Sequence, residues 1–201
     1  MTTTRRPALE IQNAIVDAAV RVVADHGVDG LTHRAVAQRA GVSLSSTTYH
    51  FASKEAIVAA ALQRVVDLDL ERLDRASEKV ANLKGERGLS ADDLVDVLLG
   101  EAAKTDSVRI RAQYHLQLEA AERPDLRPIV EAWSDAITER VAAAVANFGS
   151  AQPRLDAQLI LAATDGLRIH ALATSPATVS VVVRPVLVHL LALLKLPAPN
   201  A

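Results

Sequence analysis

The sequence of 201 residues predicts an all-α protein built from nine helices. Three observations predict it. The chain holds 37 Ala, 26 Leu and 23 Val but only 2% aromatic residues, a composition for closely packed helices rather than a β-sandwich. Eight Gly and eight Pro leave few turn positions for a many-stranded protein. Apolar residues recur at spacings of three and four along most of the chain. The 50% hydrophobic fraction excludes disorder, and the absence of cysteine excludes disulfides, thiol catalysis and thiolate metal sites.

In order along the chain, Ala8, Ile11, Ile15, Ala18, Ala19, Val22 and Val23 set the first helical face. His26-Gly27 stops it, with Gly27 expected in the left-handed C-terminal position. Thr32 is placed to cap a short helix ending at Ala40, with Ala35, Val36 and Ala40 inward. Gly41 turns the chain, Ser43 caps Leu44 to His50, and Ser53 caps a long helix from Lys54 to about Asn82. Lys84 to Gly88 reads as a loop. Ser90 and Asp93 read as a capping box, with Asp in place of Glu, opening Leu94 to Lys104. Asp106 to Arg123 ends at Pro124, and Leu126 to Phe148 ends at Gly149. Pro153 to Thr174 follows, and Ser175-Pro176 reads as cap and first position of a last helix reaching Leu196, kinked at Pro185.

Val179 to Val183 suits a strand as well as a helix by periodicity. No second strand-like segment is there to pair with it, so helix is expected. The run from Val179 to Leu196 contains Arg184, Pro185 and His189, which favours a buried helix over a membrane span. At the N-terminus Glu10, Gln12 and Asn13 interrupt any apolar run behind Arg5 and Arg6, so no secretory leader and a cytoplasmic location are expected.

The segment from Leu31 to Glu55 carries the functional information. Two short helices joined at Gly41 fit a helix-turn-helix, with two ordinary core helices as the plainer alternative. Ala37 is small where the helices cross, Gly41 supplies positive φ, Val42 tucks under both helices and Ser43 caps the second. Charge agrees weakly: residues 1–54 carry +2 and residues 55–201 carry −4.

Gly27 to Thr32, Ala35-Val36-Ala37, Ala40 to Ser43 and Tyr49 to Glu55 together resemble the N-terminal DNA-binding domain of the TetR family of transcriptional regulators, over roughly residues 10–60. The resemblance implies a homodimer whose subunits carry a three-helix head and a six-helix body that dimerises and binds a small-molecule inducer. The expected division is a DNA-binding domain at residues 1–55 and a regulatory domain at residues 56–201. The sequence departs from the family pattern at Thr47-Thr48, with Tyr49 one place later than usual, and at Ser45, where Gly is common.

On this reading Thr32, Tyr49 and Lys54 are candidates for DNA phosphates, because helix N-termini and a full positive charge attract them. Arg34, Leu44, Ser45, Ser46 and Thr48 are candidates for base edges, with Arg suited to guanine and Leu or Thr to the thymine methyl. Ser43, which caps that helix, is a further DNA-binding candidate, as is His50, with capping or packing as its plainer role, and Arg5 and Arg6 suit either a minor-groove arm or a solvated tail.

The last two helices are expected to pair with those of a second subunit through Leu155, Leu159, Ala163, Gly166, Val183, Leu187 and Leu190. Polar and aromatic residues interrupting apolar faces, namely Gln113, Tyr114, Gln117, Trp133, Asp165 and Arg168, are candidates for an unidentified small-molecule effector. His115 and Glu119, four apart, are a weak metal pair, and no metal or cofactor is expected. Without a Gly-rich phosphate loop, a His-Glu-x-x-His run or a Gly-x-Ser-x-Gly elbow, no catalytic residue is assigned. The leading expectation is a DNA-binding, ligand-released homodimer that meets no membrane. The alternative is a helical ligand-binding or scaffolding dimer without sequence-specific DNA binding.

Overall fold

Four short polar side chains start helices in the computed structural model, which describes residues 7–86, 90–99, 107–174 and 179–194. Among these residues there are nine helices and no strand. They are α1 (Ala8–His26), α2 (His33–Ala40), α3 (Leu44–His50), α4 (Lys54–Glu86), α5 (Ala91–Leu99), α6 (Ser107–Glu122), α7 (Arg127–Asn147), α8 (Pro153–Thr174) and α9 (Val179–Leu193). No helix among the described residues is long and apolar enough to cross a membrane.

Each cap supplies an acceptor for a backbone N–H that the first helical turn leaves without a partner. The N–H of Ala35 donates to Thr32 Oγ1, that of Ser46 to Ser43 Oγ and that of Ala56 to Ser53 Oγ, all at 3.1 Å. The box at Ser90 is reciprocal. The Ser90 N–H donates to Asp93 Oδ2 at 2.8 Å, while the Asp93 N–H donates to Ser90 Oγ at 3.3 Å. A carboxylate one methylene shorter than Glu therefore closes it.

Gly41 sits in the left-handed region, at φ 67° and ψ 35°, and its N–H reaches the carbonyls of Ala37 and Gln38. Gly27 departs from the expectation. Its φ is 68° but its ψ is −177°, a mirror-extended conformation in which the chain leaves α1 without a left-handed cap.

The first part of the loop expected from Lys84 to Gly88 is helical instead, because α4 continues through Glu86, and Arg87 and Gly88 lie outside the described residues. Leu83, Lys84 and Glu86 are good helix formers, and one Gly costs only about 1 kcal/mol in a helix. The expected ends of the fifth and ninth helices, Lys104 and Leu196, and the cap at Ser175-Pro176 lie outside the described residues. Val179 to Val183 is helical, and Pro185 lies within α9.

The chain divides into two compact units, Met1–Asp67 with Val108–Glu131, and Leu68–Ser107 with Ala132–Ala201. In the first, α1 packs on α2 and α3. Ile15, Ala18, Ala19, Val22 and Val23 of the expected face are buried, while Ala8 is exposed and Ile11 half-buried, and Leu31, Val36, Phe51, Ile57 and Leu62 join the core. On α6, Ile110, Ala112, Gln113, Leu116 and Ala120 turn inward.

In the second unit α9 packs on α5 and α8. Its core runs through Leu73, Leu94, Val95, Leu98, Val141, Val145, Ile160, Val183, Leu187 and Leu191. Burying each such side chain contributes about 1.5–3 kcal/mol before entropy is charged against it. Ion pairs tie the rim, with Arg140 bonding Asp74 at 2.6 Å and Arg184 bonding Asp92 at 2.9 Å as well as Asp96.

Candidate nucleic-acid interface and effector cluster

The three caps and the Gly41 turn fix α3 with one face inward and one in solvent. Thr47 is the inward anchor and is fully buried. Its hydroxyl donates to the Leu44 carbonyl at 2.8 Å, so the methyl enters the core without leaving a polar atom unpaired. This resolves the departure from the family pattern, since a threonine here seats the helix as an apolar residue would.

Arg34, Leu44, Ser45, Thr48 and Tyr49 are exposed. Leu44 is 50% exposed and Tyr49 84%, values that no packing requirement accounts for. The ring of Tyr49 stands edge-on to His50, with centroids 5.2 Å apart. Ser43 Oγ lies 2.8 Å from both Ser45 Oγ and Ser46 Oγ, a chain of hydroxyls across the first turn of α3. The Thr48 hydroxyl donates back to the carbonyls of Leu44 and Ser45, both at 3.2 Å, so its proton is used within the helix.

Thr32 is exposed and Lys54 is half-buried at the start of α4. Beside Lys54, the Glu55 carboxyl is held below its usual value by its own backbone N–H and then by the Ser53 hydroxyl. Arg5 and Arg6 lie outside the described residues.

Asp25, which carries no periodic signal, organises the back of this unit. One of its oxygens accepts from Arg39 of α2, and the other lies 3.4 Å from Arg111 Nη2 of α6. Arg111 Nε also donates to the Ala24 carbonyl at 3.1 Å.

The effector candidates fall in both units. Gln113 is buried on α6, and Tyr114 and Gln117 are half-buried there. In the second unit Asp165 is half-buried, while Trp133 and Arg168 join a buried cluster with two residues the sequence did not indicate. Trp133 Nε1 donates to Asp69 Oδ2 at 3.3 Å, and Arg72 donates to Asp69 Oδ1 from Nε (3.3 Å) and Nη2 (3.1 Å). Arg72 Nη1 and Arg168 Nη2 then share the Leu98 carbonyl, at 3.3 and 3.2 Å. Asp69 and Arg72 stand three apart on α4, a spacing that ordinary surface pairs share, so nothing in the sequence set them apart.

His115 and Glu119 border a groove of about 570 Å³ with Asp25, His26, Asp29 and Glu122. Among the described residues no group of three or more such side chains is placed to hold a metal ion.

Of the residues expected at a dimer interface, Leu155, Leu159 and Gly166 are exposed, and Ala163 and Leu190 are half-buried. Val183 and Leu187 are corrected by the structure. Both are fully buried in the core of their own unit and offer no surface to a partner. The outward apolar positions of α9 are Val181, Val186 and Leu193, and Ile169 of α8 adds to them.

A capped, glycine-turned helix pair with its second helix exposed defines a helix-turn-helix protein. Family comparison places it further. Residues 15–61 match the family described as bacterial regulatory proteins of the tetR family, and residues 85–193 match the tetracyclin repressor-like C-terminal domain. A TetR-family member from Streptomyces coelicolor A3 is 33% identical, with a TM-score of 0.67 over 90% of this chain and 98% of that one. The multidrug binding protein EbrR, complexed with ethidium, is 31% identical, with a TM-score of 0.63 over 90% and 98%. A transcriptional regulator from Rhodococcus sp. Rha1 is 26% identical, with a TM-score of 0.73 over 90% and 96%. No curated protein matched the chain. The chain belongs to the TetR family of transcriptional regulators.

Proposed function

We propose that this regulator is a repressor that binds operator DNA as a homodimer in the cytoplasm and is released by a small molecule held in its C-terminal part. The observation that carries the reading is the exposed face of α3, where Leu44, Ser45, Thr48 and Tyr49 stand in solvent above the buried Thr47. Thr32, Tyr49 and Lys54 contact phosphates and set the register, while Arg34, Leu44, Ser45, Ser46 and Thr48 read base edges. In this scheme residues 1–55 bind DNA and residues 56–201 bind the effector and the second subunit.

The exposed apolar positions Leu155, Leu159, Val181, Val186 and Leu193 support pairing through α8 and α9, since side chains this large gain by leaving water together. The structures of EbrR with ethidium, malachite green and proflavin support a small-molecule effector. Two recognition helices of a dimer must enter grooves about 34–36 Å apart, so an effector releases DNA by favouring a state in which they miss that spacing.

The test is a mobility shift of the full chain with duplex DNA from upstream of its own coding sequence. A preference over scrambled duplex of the same length is expected, and equal affinity for both overturns the reading.

A further inference from the structure

Gly166 stands in the interior of α8, where a glycine weakens the helix by adding backbone freedom and no side chain. Nothing in its own chain asks for it. It is exposed, it is not among the positive-φ glycines, and a Cβ built on it meets nothing within 4 Å.

The residue belongs to a seam. Leu155, Leu159, Ala162, Gly166, Ile169 and Ala173 are all exposed and follow one another at steps of four, three, four, three and four. That alternation keeps side chains on the side of a helix that packs along another helix. The seam carries no charge, and Leu155 is 60% exposed, Leu159 48% and Ile169 52%. Its small side chains lie at the middle. Ala162 and Gly166 each stand two residues from position 164, and Leu159 and Ile169 each stand five from it.

Two observations select a second copy of this chain as the occupant. A two-fold axis between identical helices brings the same stretch of both to their closest approach, so that stretch must be small on its own account. Ala162 and Gly166 meet that need, and Leu159 and Ile169 fill the wedge that opens on either side as the helices diverge. The area also fits. With Val181, Val186 and Leu193 of α9, which packs on α8, the three large seam residues offer roughly 600 Å² of apolar surface, near the about 800 Å² per partner of a stable interface.

We propose that two copies cross α8 on α8 at Ala162 and Gly166, and that Gly166 sets how closely they approach. This rests on the homodimer reading above and adds where the two-fold axis passes.

The chain contains no cysteine, so a single introduced cysteine forms a disulfide only between copies. Full-length Ala162→Cys, Gly166→Cys, Leu155→Cys and Ala173→Cys proteins are oxidised in parallel and resolved without reductant. Residues beside a two-fold axis meet their own copies within the Cα separation of about 4.4–6.8 Å that a disulfide needs. Ala162→Cys or Gly166→Cys is therefore expected to link about tenfold faster than Leu155→Cys and Ala173→Cys, which lie at the two ends of the seam. Gly166→Leu, whose side chain meets open space in its own chain, is expected to keep wild-type helix content. By sedimentation it is expected to raise the dimer dissociation constant about tenfold or more, because overpacking forces the crossing apart. The cysteine comparison does not use Gly166→Leu, so the test stands even if that variant fails to fold.

Fastest linkage at Leu155→Cys or Ala173→Cys, no linkage at Ala162→Cys and Gly166→Cys, or a folded Gly166→Leu protein that dimerises as tightly as wild type each overturn the proposal. A dimeric wild-type chain with any of these results keeps the homodimer reading and loses only the crossing point. A wild-type chain that stays monomeric at micromolar concentration removes both.

Discussion

Arg111 of α6 closes on Asp25 at the end of α1, with Nη2 3.4 Å from Oδ1, although the two lie 86 residues apart in sequence. Because Arg39 of α2 engages the other oxygen of Asp25, one carboxylate connects three helices of the first unit. Both pairs are about a third exposed, so solvent screens them and the net stability of each is about 0–1 kcal/mol. Their value lies in geometry. Arg111→Met is expected to cost about 1 kcal/mol in urea unfolding, mainly through the lost bond to the Ala24 carbonyl. It is also expected to blunt effector-induced release more than operator affinity itself, measured as the ratio of operator Kd with and without effector. An unchanged ratio separates Arg111 from the response.

The two positive-φ glycines of the head should respond differently to substitution. At Gly41 a built Cβ meets nothing within 4 Å, so Gly41→Ala costs only the left-handed backbone, about 1–2 kcal/mol, and Gly41→Asn less. Gly27 combines φ 68° with ψ −177°, a region essentially reserved for glycine. Gly27→Asn is therefore expected to destabilise more than Gly41→Asn in chemical denaturation. The reverse order contradicts the ψ angle at Gly27.

How far the sequence could be read depends on the distance over which each feature is encoded. Ser90 with Asp93, Thr32 with Ala35 and the turn at Gly41 are set within four residues, and each reads directly. Thr47 looked like a departure from pattern because its hydroxyl partner, the Leu44 carbonyl, is invisible as text. Asp25 with Arg111, and Trp133 with Asp69, join residues 86 and 64 apart, and no periodicity announces such pairs. The inward side of Val183 and Leu187 is not legible, because a helix apolar around most of its circumference does not declare which side meets its own core. At Lys84 to Glu86 a local signal was misleading, since neighbouring helix formers outweighed Gly85.

Acid should weaken the second unit through one identifiable pair. The Arg140 guanidinium, bonded to Asp74 at 2.6 and 3.2 Å, holds the Asp74 carboxyl below its ordinary value. A carboxyl depressed in the folded state adds stability that is fully present above the unfolded pKa of about 4 and fades as pH falls through the lower folded value. Asp74→Asn should therefore lower the melting temperature at pH 7 slightly and lower it less at pH 2.5. An equal loss at both values would assign the pair no electrostatic role.

Contacts that set register and contacts that read sequence should separate by mutation. Lys54→Ala is expected to weaken operator and scrambled duplexes alike and to reduce the salt slope by about one. Arg34→Ala is expected to cost about 1–3 kcal/mol on the operator alone. Leu44 allows a sharper version without altering the protein. Half its surface is in solvent at the first turn of α3, and its apolar side chain has no use for a hydrogen bond, so its natural base partner is the thymine methyl. Operator duplexes selected from a random pool and remade with uracil for thymine, one position at a time, lose only that methyl. One position per half-site is expected to weaken wild-type binding several-fold and to leave Leu44→Ala unaffected. Uniform tolerance of uracil would remove Leu44 from base reading while leaving the phosphate contacts standing.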